Sequence, residues 1–189
     1  MNRTFRRTFS TASVLVLLAA ILLAANPGPA AAQDKPQAPP EPAKVLAAAR
    51  EVMAAQQYCA LITIDAAGLP QVRTMNPFPP DEGMVVWMAT NTRSRKVEEI
   101  KKDARVSLYY ADHAKAIGYV AISGKAVLVD DMKEVLKRKR AYWDTSFPGL
   151  KNIVLIKVIP ERIDVINYKA GFVGDPVTWR TASLPMPAK

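Results

Sequence analysis

Between residues 58 and 168 the chain is a succession of short stretches rich in branched and aromatic residues, separated by turns. Seven of these stretches are predicted to be strands: 58–65, 69–78, 84–90, 104–110, 117–129, 152–159 and 162–168. The last two are expected to form a hairpin around Pro160. One long antiparallel meander favours a barrel over a βαβ sheet. The sequence also has no G-x-G-x-x-G and no P-loop, which argues against a Rossmann dinucleotide site or an NTPase.

Three segments have the apolar spacing of helices. Residues 43–57 carry an apolar face filled out by alanines, which predicts a helix before the first strand. Ser94 is a suitable N-cap for a short helix that ends at Lys102. A basic helix is predicted from Met132 to about Trp143.

The counts of cysteine and histidine exclude several kinds of site. Of 189 residues, only Cys59 and His113 are of these types. An intrachain disulfide framework and a His/Cys zinc cluster are therefore excluded. A Ser-His-Asp or Cys-His hydrolase is disfavoured, because one imidazole would have to serve as the base.

The N-terminus has the order of a bacterial signal peptide. A basic start with Arg3, Arg6 and Arg7 precedes an apolar run and a small-residue cleavage site, so residues 1–32 are predicted to be removed after export. The arginine pair is compatible with either a twin-arginine or a general secretory signal. The apolar run is short for a membrane-spanning helix, so no stable span is expected after cleavage. Residues 33–42 are interpreted as a Pro-rich linker, 43–170 as the folded domain and 171–189 as a C-terminal tail.

The charge of the remaining chain does not predict nucleic-acid binding. Three of the net nine positive charges lie in the signal peptide, which leaves +6 after its removal. This charge is not concentrated in a tail, and an exported protein has no evident nucleic-acid partner.

The segment TNTRSRKVEEI, residues 90–100, presents hydroxyls and cations just before and within the start of a predicted helix. Arginine gives a phosphate two parallel hydrogen bonds, lysine gives it a point charge, and a helix N-terminus adds N–H groups. Thr90, Ser94, Arg95 and Lys96, with Arg73 from an upstream strand, therefore predict a phosphate site. The other interpretation is an ordinary solvated helix start.

Four blocks in order resemble the pyridoxamine 5′-phosphate oxidase-like flavin-binding split barrels, and most of all their general stress protein branch. The blocks are TIDAAGLPQVRTM (63–75), VVWMATNTRSRKVEEIKKDARVSLYY (85–110), YVAISGKAVLVDD (119–131) and YWDTSFPGLKNIVLIKVIPERIDVIN (142–167). The resemblance implies a mainly β fold, a six-stranded antiparallel split β-barrel with a few short helices. It also implies a homodimer that binds FMN in a cleft between its subunits.

The family's flavin contacts can be transferred to matching positions of this sequence. Arg73, Thr74, Met75 and Asn76 match the strand that meets the flavin, and Ala89 and Thr90 match a Tyr-Thr pair. Ser94, Arg95 and Lys96 match the segment that holds the phosphate. Tyr119 stands where the oxidases have a glutamine that contacts the flavin, which is a departure from the pattern.

The resemblance implies a flavin-dependent oxidoreductase that acts on a small molecule. Phe78 replaces a lysine that holds the substrate phosphate in true pyridoxamine phosphate oxidases, so that activity is not expected. A flavin-sequestering or electron-relay protein, a deazaflavin-binding barrel and a haem-binding barrel are the alternatives. His113 would be the axial candidate for haem. The tail could fold over the flavin with Trp179 and Arg180, although no motif supports that arrangement.

Overall fold

The computed structural model describes residues 41–187. The predicted signal peptide and all but the last two residues of the predicted linker lie outside the described residues. Within residues 41–187, no helix is both long and apolar enough to cross a membrane.

Seven strands form one sheet in the described part of the chain. In chain order they are β1 (Cys59–Ile64), β2 (Pro70–Met75), β3 (Val86–Asn91), β4 (Arg105–Ala111), β5 (Gly118–Val129), β6 (Ile153–Asn167) and β7 (Ala182–Pro185). The helices are α1 (Pro42–Ala54), α2 (Arg95–Lys102), α3 (Met132–Lys137) and α4 (Trp143–Ser146), followed by a 3-10 turn at Pro148–Leu150.

The sheet is antiparallel throughout, with strand order β2-β1-β4-β5-β6-β3, and β7 pairs with β6. Beyond the paired strands, the backbone N–H of Phe78 donates to the carbonyl of Trp87 (2.7 Å), which brings the segment after β2 against β3. This arrangement confirms the predicted mainly β antiparallel barrel. The strand β7 is an addition, because it comes from the segment predicted to be a tail.

The predicted hairpin around Pro160 is wrong. Residues 153–167 form one continuous strand that pairs along its length with β5. The register shifts between Ser123 and Gly124, opposite Pro160, and such an irregularity accommodates a residue that cannot donate a backbone hydrogen bond. A proline that resembles a turn signal therefore lies inside the longest strand.

The predicted basic helix is also too long. α3 ends at Lys137, and a separate turn of helix begins at Trp143. The residues between them are held by tertiary contacts instead: the Arg138 guanidinium lies 3.8 Å from the centroid of the Trp87 ring, and Arg140 binds the segment after β2.

The core of the domain is the space between the sheet and α1. Val45, Ala49 and Val52 of α1 are buried against inward residues of the strands, as the apolar spacing predicts. The buried Asn167 side chain donates to the Ala48 carbonyl (3.2 Å) and to the Glu51 carboxylate (3.1 Å), which fixes α1 to the end of β6. The C-terminal end of α1 lies beside the segment after β2. Arg50 of α1 donates a hydrogen bond to the Pro80 carbonyl of that segment (3.0 Å).

Candidate functional site

Three side chains converge where β3 ends and α2 begins. The Thr90 hydroxyl lies 3.3 Å from the Ser94 hydroxyl and accepts a hydrogen bond from Lys96 Nζ at 3.1 Å. Ser94 is the residue that precedes α2, as predicted, but its side chain does not cap the helix. The Ser94 hydroxyl therefore faces Thr90, and two hydroxyls and an ammonium group lie together at a helix N-terminus.

The charge of Lys96 is only partly solvated. Burial lowers the pKa of Lys96, the neighbouring Arg73 lowers it further, and Glu99 acts in the opposite direction. Among residues 41–187, no carboxylate forms an ion pair with Lys96. A partly buried cation without an acidic partner, next to two hydroxyls, is a favourable environment for an anion.

Arg73 is held by a buried carboxylate on α2. Its guanidinium pairs with Glu99 at 2.9 Å, and the Arg73 side chain is 18% exposed. Arg73 also donates to the Thr63 hydroxyl, which in turn donates to Glu99. Most of the charge of Arg73 is therefore balanced by Glu99. Lys96 lies close to this pair but forms no ion pair of its own within residues 41–187.

Arg95 points to a different part of the surface from Lys96. It lines a recess of about 320 Å³ that also contains Asp65 and Lys102, and the nearby Arg95 charge contributes to the lowered pKa of Asp65. Backbone hydrogen bonds from Leu69 and Ala67 also lower this pKa, with the bond from Leu69 as the largest cause. The structure therefore separates the predicted Ser94-Arg95-Lys96 cluster: it brings Ser94 and Lys96 to Thr90, and it leaves Arg95 exposed.

The other predicted cofactor residues lie in two places. Thr74 is exposed, Met75 is buried in the core, and the Asn76 side chain accepts a hydrogen bond from Arg140 at 2.6 Å. Ala89 packs against a small apolar cluster around Trp143. Along β6, Tyr119 lies at the opposite end from Thr90, because Tyr119 pairs with Ile166 and Thr90 pairs with Val154.

Several residues at this site were not predicted. Glu99 and Thr63 hold Arg73, and Arg140 holds Asn76 over a sequence separation of 64 residues. Glu99 lies between the apolar residues Val97 and Ile100, so an acidic residue beside the apolar face of α2 was the available signal. Arg140 lies in a run of basic residues with no distinguishing feature.

His113 lies in the loop after β4 and is exposed. Its ring is 5.9 Å from the Tyr109 ring, and the adjoining recess, which also contains Tyr119 and Tyr168, has a volume of about 210 Å³. Within residues 41–187, no group of three or more His, Cys, Asp or Glu side chains could hold a metal ion.

Comparisons with known proteins agree on one family. A family model described as pyridoxamine 5′-phosphate oxidase matches residues 45–167. No curated protein matches the chain.

Solved structures with the same fold include two general stress protein 26 relatives. A protein of Clostridium acetobutylicum related to general stress protein 26 is 20% identical, with a TM-score of 0.59, over 66% of this chain and 89% of that chain. General stress protein 26 of Bacillus anthracis is 22% identical, with a TM-score of 0.56, over 64% and 92%.

More distant structural neighbours bind two different cofactors. A pyridoxamine 5′-phosphate oxidase-related, FMN-binding protein of Nostoc punctiforme is 16% identical, with a TM-score of 0.50, over 77% of this chain and 95% of that chain. A heme-binding protein of Mycobacterium smegmatis is 12% identical, with a TM-score of 0.53, over 67% and 55%. At these identities, the likeness concerns the fold.

Proposed function

The chain belongs to the pyridoxamine 5′-phosphate oxidase family, and from this premise we propose that it binds FMN and acts as a flavin-dependent oxidoreductase on a small molecule. The observation that carries the proposal is the convergence of Thr90, Ser94 and Lys96 at the N-terminus of α2. The FMN-binding neighbour from Nostoc punctiforme supports the choice of cofactor.

The residues at this place fit the phosphate of FMN. A phosphate needs several donors and a compensating positive charge, and the two hydroxyls, Lys96 and the first N–H groups of α2 are of that kind. Lys96 gains most from an anion, because burial has already removed part of its hydration. Arg73 adds positive potential from the neighbouring strand, although Glu99 balances much of it.

When bound, FMN supplies hydride chemistry at its ring, and the protein contributes binding, orientation and electrostatics. In this proposal Thr90, Ser94 and Lys96 hold the phosphate end. Residues 73–76, which continue from the Arg73–Glu99 pair toward Arg140, orient the ring. Arg95, Ala89 and Tyr119 remain candidates for contacts that a second subunit completes.

A true pyridoxamine phosphate oxidase activity is not proposed. Phe78 stands where the substrate-binding lysine is expected, and the Arg140 guanidinium lies over the Phe78 ring at 3.9 Å from its centroid. This position therefore offers an aromatic face already in contact with an arginine, in place of a mobile ammonium group.

The first test is the absorption spectrum and mass of the small molecule that copurifies with the protein. A flavin spectrum with the mass of FMN supports the proposal, and a deazaflavin mass identifies that relative instead. Bleaching by a reductant and reoxidation by a substrate distinguish an oxidoreductase from a protein that only stores flavin. A colourless protein that takes up neither cofactor contradicts the proposal.

The second test compares two lysines of the same helix. Lys96→Ala should weaken FMN binding by about 10- to 150-fold, because a hydrogen bond to a charged group is worth about 1.5–3 kcal/mol. Lys101→Ala is the matched control, since Lys101 is exposed and pairs with Glu98 at 2.9 Å. Fluorescence titration of FMN gives both affinities. Equal affinities for the two variants would place the phosphate elsewhere.

Haem is the less favoured cofactor for this chain. The recess beside His113, about 210 Å³, is smaller than ordinary small-molecule pockets of about 300–1,000 Å³. A Soret band in the purified protein would reverse this preference.

We also propose that the protein is an exported homodimer. The basic and apolar pattern of residues 1–32 supports export, and the family's cofactor cleft between subunits supports the dimer. The mass of the secreted chain tests export and removal of residues 1–32. Size-exclusion chromatography with light scattering tests the homodimer.

A further inference from the structure

A cavity lies beside Asn76, between the C-terminal end of α1 and the segment after β2. Its volume is about 650 Å³, within the range of small-molecule sites. Met53, Pro77, Pro79 and Tyr142 give it apolar walls. It therefore has room for an organic molecule with an apolar body.

Two arginines line this cavity, and neither has an acidic partner among residues 41–187. Arg50 and Arg140 form no ion pair within 4 Å. Both guanidinium groups instead donate to neutral oxygens. Arg50 bonds to the carbonyls of residues 80–82, while Arg140 bonds to the side chain and carbonyl of Asn76 and to the Pro77 carbonyl.

These bonds hold the arginines in place without neutralising them. A guanidinium has five N–H groups. Three hydrogen bonds are present on each arginine, so two N–H groups on each remain without a partner in the described residues. A carboxylate can accept up to about four hydrogen bonds, which matches the number of remaining donors.

A tyrosine with a buried hydroxyl forms part of the wall of the same cavity. The Tyr110 ring lines the cavity, whereas its hydroxyl is inaccessible to solvent and lies beside the Cys59 thiol. Burial, followed by the neighbouring Cys59, raises the pKa of the Tyr110 phenol, so this group stays protonated and can donate.

We infer that this cavity binds an organic carboxylate with an apolar or aromatic body, whose carboxylate is held by Arg50 and Arg140. The apolar walls, which include the Tyr110 ring, receive the body of the ligand. A phosphate dianion fits less well, because most arginine donors are already committed to carbonyl groups. That this carboxylate is the substrate rests on the proposed function, whereas the binding site itself does not.

The test is calorimetry on the full chain with three probes of one shape: naphthoate, naphthamide and naphthyl phosphate. Naphthoate should bind saturably at millimolar concentration or below, and at least about tenfold more tightly than the neutral amide. Equal binding of acid and amide overturns the inference, as does the absence of saturable naphthoate binding. Tighter binding of naphthyl phosphate overturns the assignment to a carboxylate.

Variants locate the site. Arg140→Gln and Arg50→Gln should each weaken naphthoate binding at least about tenfold, and Arg140→Lys should retain part of the affinity. Tyr110→Phe should leave naphthoate binding nearly unchanged, because the Tyr110 hydroxyl is not accessible from the cavity. Arg162→Gln is the control, because Arg162 does not line the cavity and pairs with Asp164 on β6. If Arg162→Gln weakens binding as much as the cavity variants do, the site is elsewhere.

Failure of this inference can be distinguished from failure of the proposed function. Lys96→Ala should lose FMN affinity and keep naphthoate affinity in FMN-free protein. A chain that binds naphthoate but takes up no FMN supports the cavity and contradicts the flavin proposal. A chain that binds FMN but not naphthoate does the reverse.

Discussion

Removal of the Glu99 carboxylate should destabilise the protein far more than removal of its neighbour on α2. In Glu99→Ala, the Arg73 guanidinium loses its ion pair, and the buried Thr63 hydroxyl loses its acceptor. Loss of one member of a buried pair costs about 3–5 kcal/mol. Because Arg73 is 18% exposed and water can reach part of it, we expect the lower end, about 3 kcal/mol.

The adjacent residue provides a matched control. Glu98 also forms an ion pair on α2, with Lys101 at 2.9 Å, but the two side chains are 62% and 57% exposed. Exposed pairs three or four residues apart on a helix contribute about 0.2–0.5 kcal/mol. Glu98→Ala and Glu99→Ala therefore make the same chemical change one position apart, with an expected difference of more than 2 kcal/mol.

Urea unfolding followed by tryptophan fluorescence and circular dichroism gives both free energies if the two transitions coincide. A third variant separates the ion pair from simple packing: Arg73→Met with Glu99→Leu replaces both charges by apolar groups. This double variant should be clearly more stable than Glu99→Ala, because it leaves no buried charge without a partner. If Glu99→Ala is no worse than Glu98→Ala, the pair is solvated and the reasoning fails. A double variant as unstable as Glu99→Ala would mean that packing, and not charge, accounts for the loss.

Two further predictions concern the stability of the barrel: one changes Gly124, and the other follows the buried Cys59 thiol as pH rises. Gly124→Ala should lower the melting temperature by at least about 2 °C, because its Cβ would lie 2.1 Å from the Ile159 carbonyl oxygen and overpacking costs about 1–3 kcal/mol. Gly174→Ala is the control and should change little, since its Cβ would lie 3.4 Å from its nearest neighbour. Burial raises the pKa of Cys59 from its ordinary 9.0 to about 11, so the folded state keeps a proton that the unfolded chain loses. The unfolding free energy should therefore fall as pH rises from about 9 to 11, and it should fall less steeply in Cys59→Ala, as measured by unfolding at each pH.

Local pattern was sufficient for most elements of the fold. Branched residues in alternation identified β1 to β5, and the apolar spacing of α1 and α2 agrees with the residues that are buried. Pro160 misled the prediction because a proline signals a turn locally, whereas the register shift at Gly124 admits it into β6. β7 was missed because ASLP has little strand propensity and depends on pairing with β6.

The candidate site divides in the same way. Thr90, Ser94 and Lys96 are close in sequence, so a motif could bring them together before the structure was known. The partner of Arg73 is 26 residues away, and the contact between Asn76 and Arg140 spans 64. Contacts of this length follow from the tertiary fold, and nothing in the local sequence distinguishes Arg140 from its basic neighbours.

The cations around the end of β2 form two groups, one beside the proposed phosphate site and one beside the proposed carboxylate site. Arg73 lies on the strand itself, and its buried pair with Glu99 leaves it little charge to offer a ligand. The cations without an acidic partner in the described residues lie on either side: Lys96 toward α2, and Arg140 with Arg50 toward the cavity. A cofactor phosphate and a substrate carboxylate would repel each other at one shared site, whereas the two proposed sites give each anion its own cation. Higher salt should therefore weaken both interactions, while Lys96→Ala and Arg50→Gln should each weaken only one.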